Sequence, residues 1–328
     1  MASVDKYDLF VMSLARCGTN FISKCLDDHP QINPLGYTRN EIITRHHRVD
    51  IFNNGNLSYY HLHVVNNFCY WETIKKIITR KYFLYSVRNP LDLAISYYNF
   101  CLLQYHFGYR KERPVVDEIL LHRDFIIRQN SIAIGMSLEH EFRSAMCIGF
   151  SSLKIDRAQE TMNKISLWLN VQQHDINDIS IKAESSLSIV LSFIPMNIKI
   201  KDKLVQIYFS ELEARPAVSG LPKHIFRRYI KIINVDSMAF GKIYGFIDHD
   251  FLFSLGDIIS FQEHMGELCS KINRELEGWL GGAIDIVHAA RSEYINHIPK
   301  DVEQKISSYY NPYIKQLSIR HPNVIDEW

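Results

Sequence analysis

The chain has 328 residues, 47% of them hydrophobic, enough for a large core in one α/β domain or in a domain with an added lobe. A formal net charge of +1 excludes nucleic-acid binding through bulk electrostatics, so an anion site has to be assembled locally from a few placed groups. The six cysteines form no CxxC pair and no dense framework, which favours reduced thiols in a cytoplasm over disulfides.

An apolar run over 7–15 predicts a first strand. It is too short to cross a bilayer and leads into a glycine loop, so it does not read as a signal sequence. No later segment offers the run of about eighteen apolar residues that a spanning helix needs, and a non-secreted protein without a membrane span is expected. A helix is predicted over 20–28, stopping before His29 and Pro30, then a strand over 58–65, a helix over 72–79, a strand over 82–87 and a helix over 91–105. This βα alternation predicts a parallel sheet. Helices are predicted over 115–136 and 139–149, a short strand over 152–155 and a helix over 159–169. From 171 to 283 the pattern is less legible, with helical candidates at 201–213, 224–233 and 257–279 and loops around 216–222 and 241–249. A closing helix over 300–317 carries Val302, Ile306, Tyr309 and Tyr310 at helical spacing.

Two segments carry chemistry. In SVRNPLDLAISYYNF (residues 86–100), Arg88 ends a strand, Asn89 and Pro90 supply a helix N-cap and first position, and Ser96 follows on the helix. An arginine and a hydroxyl so placed converge on one anion. In SLARCGTNF (residues 13–21), a strand meets a helix N-terminus through Gly18, and the backbone amides, the Thr19 hydroxyl and the Arg16 charge form an anion cradle. The spacing is not that of a Walker A loop, so no magnesium site is implied. The fifteen histidines show no HExxH or paired ligand spacing, and no metal is expected. Taken singly, each segment has a plainer explanation: a βα turn with one glycine, a strand-end salt bridge for Arg88, a mid-helix filler for Ser96.

Together they resemble the sulfotransferases that use 3'-phosphoadenosine 5'-phosphosulfate (PAPS). Residues 16–21, RCGTNF, match that superfamily's 5'-phosphosulfate loop, [KR]-x-G-[TS]-[TSN]-[WF]. Residues 88–98, RNPLDLAISYY, match its 3'-phosphate motif, R-N-P-x-D-x-x-x-S-Y-Y, throughout. The His29-Pro30 pair is common in the carbohydrate-type and bacterial branches. Residues 156–171 and the tail with its Y-x-P-x-x-x-x-L pattern are similar to later family segments. The resemblance implies an α/β, P-loop-like three-layer fold with a central parallel sheet flanked by helices, plus a mainly helical insertion. The implied organisation is a nucleotide-binding core over 1–171, a helical acceptor-site or lid region over 172–283 and a core-completing loop and helix over 284–328.

By the same resemblance PAPS is the donor and adenosine 3',5'-bisphosphate the product. Arg16, Cys17, Gly18, Thr19 and Asn20 would hold the 5' end, with Arg16 stabilising charge on the leaving oxygen. Phe21 matches the position that packs near the adenine, and Arg88 and Ser96 would bind the 3'-phosphate. A third 3'-phosphate contact falls near Arg291, where the family's basic glycine-containing loop is expected but R-K-G is missing. The acceptor's base is Glu41 by the His-Pro context or His63 by its strand, with His61 on the same strand face and His46 and His47 weaker. The implied partner is a small-molecule or glycan acceptor. A catalytically silent nucleotide-binding module and a P-loop kinase or other NTPase stand as alternatives.

Overall fold

The first strand, β1 (Tyr7–Ser13), carries the unbroken apolar run Leu9–Met12 and is buried at every position but Asp8, the signature of a strand covered on both faces. In the computed structural model it lies inside a five-stranded sheet. The residues described are 7–13, 16–33, 56–63, 71–121, 130–176, 191, 195–200, 203–210, 229–238, 241–248 and 258–325. The chain divides into two compact units, one of residues 1–101, 113–184 and 295–328, the other of residues 102–112 and 185–294.

In the first unit β1 leads to α1 (Thr19–Asp28), β2 (Ile32–Asn33), β3 (Leu57–His63), α2 (Trp71–Ile77), β4 (Ile78–Val87) and α3 (Pro90–His106). Then come α4 (Val116–Leu121), α5 (Ser131–Leu138), β5 (Ser144–Gly149), a 3-10 turn (Phe150–Leu153) and α6 (Ile155–Leu169). Residues of α3 through Cys101 belong to this unit and those from Leu102 to the second. The strand order is β2-β3-β1-β4-β5 and every pairing is parallel, as expected for an α/β fold with flanking helices. On one face Leu9 and Val11 pack with Ile22, Leu26, Met162 and Ile165, which brings α1 and α6 onto the sheet. On the other, Phe10, Phe83 and Phe142 stack with ring centroids 4.9–5.8 Å apart, and Trp71 of α2 closes on Phe10 at 5.6 Å.

β1 and β4 are neighbours, but the connection after β1 leads towards β3 and that after β4 towards β5. The switch point therefore lies between β1 and β4, where open α/β sheets form a crevice at their carboxyl ends. The register sets His63, Ser13, Ser86 and Ile148 side by side at that edge.

Two expectations in this unit are corrected. Part of the helix expected over 139–149 is β5, and the strand expected over 152–155 is the 3-10 turn followed by the start of α6. In β5 only Cys147, Ile148 and Gly149 are buried, so Ser144–Met146 show no clean alternation. The C-terminal α8 (Lys300–Arg320) buries Val302, Ile306, Tyr310 and Leu317 and is followed by α9 (Pro322–Ile325).

The expected mainly helical insertion is corrected in part, because the second unit holds a sheet beside a long helix. Its described residues form an antiparallel sheet of β6 (Met196–Ile200), β7 (Lys203–Ser210), β8 (Tyr229–Ser237) and β9 (Gly241–Asp248), in the order β6-β7-β9-β8. The residues read as helices over 201–213 and 224–233 include β7 and the start of β8, and the loop expected around 241–249 is β9. Val205, Ile207 and Phe209 alternate inward along β7, a period of two. The helix expected over 257–279 is present and longer, as α7 (Ile258–Ser292), whose Leu268, Ile272, Leu276 and Leu280 cover this sheet. Among the described residues no helix is long and apolar enough to cross a membrane.

Candidate active site at the β1 and β4 strand ends

Because β1 and β4 pair in register, Ser13 opposite Ser86, the loops that follow them emerge together. Asn89 caps α3, its Oδ1 accepting from the Leu91 amide at 2.9 Å, and Pro90 takes the first helical position. Ser96 stands on this helix facing the β1 loop. Arg16 Nε donates to Ser96 Oγ at 3.0 Å, and Arg88 Nη1 donates to the Arg16 carbonyl at 3.0 Å. The two segments read separately in the sequence thus meet at hydrogen-bond distance. Ser86 Oγ adds a third tie by donating to the Cys17 carbonyl at 2.8 Å.

The loop itself is held in an uncommon conformation. Arg16 has φ 70° and Gly18 has φ 83°, both in the left-handed region, which costs a non-glycine residue on the order of 1 kcal/mol. At Gly18 a Cβ would also collide with a Leu153 methyl in the 3-10 turn, which would have to shift. Gly18 is the N-cap of α1 and contributes no capping side chain, leaving first-turn amides free of a side-chain cap from that residue.

Arg88 is the electrostatic centre of the site. Its guanidinium carbon lies 4.1 Å from the centroid of the Phe150 ring, and its buried Nε has no hydrogen-bond partner among the described residues. Burial pulls its pKa down from the usual value, with Cys17 and Asp92 pulling the other way. No carboxylate forms an ion pair with it among the described residues. A partly buried cation with an unused donor is able to hold an anion. The unused Nε, the compact glycine turn and the helix N-terminus together fit an anionic group such as a phosphate.

Cys17 is fully buried and burial pushes its thiol up to about 12 against the pull of Arg88 and Arg16, so it remains protonated and takes no part as a nucleophile. Phe21 is 7% exposed and sits in the core cluster with Ile22 and Leu153. His63 is the last residue of β3, level with Ser13. Arg291 is exposed in the last turn of α7 in the second unit, where a loop was expected. Glu41, His46 and His47, and the side chains of Thr19, Asn20 and His63, lie outside the described residues.

Arg16, Cys17, Gly18, Arg88 and Ser96 are brought together. The sequence reading missed Ser86, whose only local signal is a hydroxyl inside an otherwise apolar strand end, and Phe150, whose role depends on β5 being a strand beside β4.

The chain matches no protein-family model and no curated protein. Among solved structures it is similar to the mouse sulfotransferase SULT7A1 complexed with PAP, at 18% identity over 58% of this chain and 68% of that chain, with a TM-score of 0.37. It is also similar to the sulfotransferase domain from the curacin biosynthetic pathway, at 12% identity over 56% of this chain and 80% of that chain, with a TM-score of 0.38.

Proposed function

We propose that the chain is a PAPS-dependent sulfotransferase acting on a hydroxyl or amine of a small molecule or glycan. The observation that carries the reading is the meeting of the two motifs, Arg16 on Ser96 and Arg88 on the Arg16 carbonyl, at one strand-end crevice. A nucleotide that is anionic at both ends suits that pair of cations. Bound there, PAPS supplies the sulfuryl group for in-line transfer.

Arg88, through its unused Nε, and Ser96 would hold the 3'-phosphate, the group that separates this donor from ATP. Arg16 and the loop amides would hold the 5' end, and the fixed guanidinium charge would stabilise the negative charge that grows on the leaving oxygen. Arginine does this without giving up its proton, so the departing phosphate leaves as the anion. Glu41 and His63 are the proposed bases for the acceptor, His63 supported by its place at the carboxyl end of β3 beside Ser13.

The test is a calorimetric titration of the whole chain with adenosine 3',5'-bisphosphate and, separately, with ATP and magnesium, followed by a sulfuryl-transfer assay with PAPS. Tight binding of the bisphosphate with little response to ATP is expected. The reverse preference overturns the proposal in favour of an NTPase, and binding without transfer to any hydroxyl or amine acceptor reduces it to a nucleotide-binding module.

A further inference from the structure

His61 lies one step inside the sheet from His63, paired with Val11, and is 0% exposed. Its ring bridges two buried serines. Nε2 is hydrogen-bonded to Ser13 Oγ, and Nδ1 lies 2.6 Å from Ser23 Oγ. Ser13 is the last residue of β1 and Ser23 stands in the second turn of α1, so the two serines flank the anion loop, one before it and one after. Both are buried, at 0% and 2% exposure. Tyr59, two residues earlier on β3, reaches the same helix, its hydroxyl donating to Asp27 Oδ1 at 2.6 Å.

We infer that His61 is a positioning residue, which sets the separation and angle of the two flanks of the anion loop and thereby the aim of Arg16 and the α1 amides. The inference rests on the nucleotide reading above and deepens it. Both ring nitrogens are engaged by serines and the ring is wholly buried, so neither nitrogen faces an acceptor directly. That removes His61 from the choice of base.

A loop with Arg16 at φ 70° holds its shape only if its surroundings over-determine it. Ser86 and Arg88 restrain the loop's carbonyls from the β4 side, and His61 restrains its two ends from the β3 side. The position of a charge-stabilising group matters at the scale of an ångström, so a loosened flank shows first in recognition of the 5' group.

The experiment compares adenosine 3',5'-bisphosphate with 3'-AMP, which lacks only the 5'-phosphate, on wild type, His61→Gln, Ser23→Ala and Ser23→Thr. The ratio of the two dissociation constants isolates the 5' contribution. In Ser23→Ala, which deletes a single oxygen, we expect the ratio to fall roughly tenfold, about 1.4 kcal/mol, with 3'-AMP affinity within twofold of wild type. His61→Gln should reduce it at least as far, and Ser23→Thr, which keeps the hydroxyl, should restore it. A role confined to core packing would lower the melting temperature and leave the ratio unchanged, and that result in folded Ser23→Ala overturns the inference. A wild-type chain that binds 3'-AMP and the bisphosphate equally removes the 5' site, and the inference with it. A wild-type chain that binds neither overturns the nucleotide reading itself.

Discussion

Among the described residues, Arg88 bears the cost of burial with its Nε unpaired and its guanidinium against the Phe150 face and the Arg16 carbonyl. A residue kept for stability alone would do better as a hydrophobe of similar volume, because desolvating an unpaired charge works against folding. The arrangement makes sense once an anion completes it. Charge-assisted hydrogen bonds of this kind contribute about 1.5–3 kcal/mol each, so Arg88→Ala should weaken bisphosphate binding by roughly 10- to 100-fold. Affinity for 5'-AMP, which has no 3'-phosphate, should fall by clearly less, only as far as the lost bond to the Arg16 carbonyl loosens the loop, and a titration of both ligands measures the contrast. Equal losses for the two would place Arg88 on the loop's conformation instead of on the 3' group. Arg88, Ser96, Arg16 and Gly18 were legible in the sequence because each sits in a local pattern, a strand end, a cap or a turn. Ser86 and Phe150 were not, since their contacts to Cys17 and Arg88 join residues far apart in the chain.

The closing helix α8 was legible as an element, yet what locks its end was not. Glu139, just after α5, receives the Tyr85 hydroxyl at 2.6 Å and His321 Nε2 at 2.5 Å, while Arg320 Nη1 donates to its other oxygen at 3.2 Å and to the Met136 carbonyl at 3.0 Å. Burial pushes the Glu139 carboxyl up, but the bonds from Tyr85 and His321, the His321 charge and the Arg320 bond outweigh it and hold the pKa below its usual 4.5. A depressed carboxylate stabilises the fold fully above that unfolded value and ceases to do so as pH falls through the folded one. Glu139→Gln should therefore lower stability at pH 7 by about 1–3 kcal/mol. In urea denaturation followed from pH 7 towards pH 3, the gap between wild type and variant should close; a gap that stays constant with pH would remove the carboxylate's charge from the account. Arg320 and His321 lie 181 and 182 residues from Glu139 and Tyr85 lies 54 away, beyond any pattern a local window detects. β7 is illegible for a different reason: Leu204, 57% exposed, and Tyr208, buried, put apolar side chains at the positions between Val205, Ile207 and Phe209 too, which blurs the alternation.

At the scale of the molecule, each unit has its own core. The first is built on a parallel sheet whose alternation of strand and helix reads directly from the sequence, and the second on an antiparallel sheet under one long helix. The side chains that form the anion site, Arg16, Ser86, Arg88, Ser96 and Phe150, all belong to the first. Leu276 of α7 is 2% exposed and lies in the second unit's cluster with Ile207, Phe209 and Ile243. Truncating it leaves a cavity in a packed interior, at a cost of about 2–5 kcal/mol for Leu276→Ala. If nucleotide recognition is a property of the first unit's strand ends, this loss should appear in thermal or urea unfolding while bisphosphate affinity at 25 °C stays within twofold of wild type. A large fall in affinity in the folded variant would instead assign part of the nucleotide site to the second unit, and Arg291, exposed at the end of the same helix, would then be the first residue to replace.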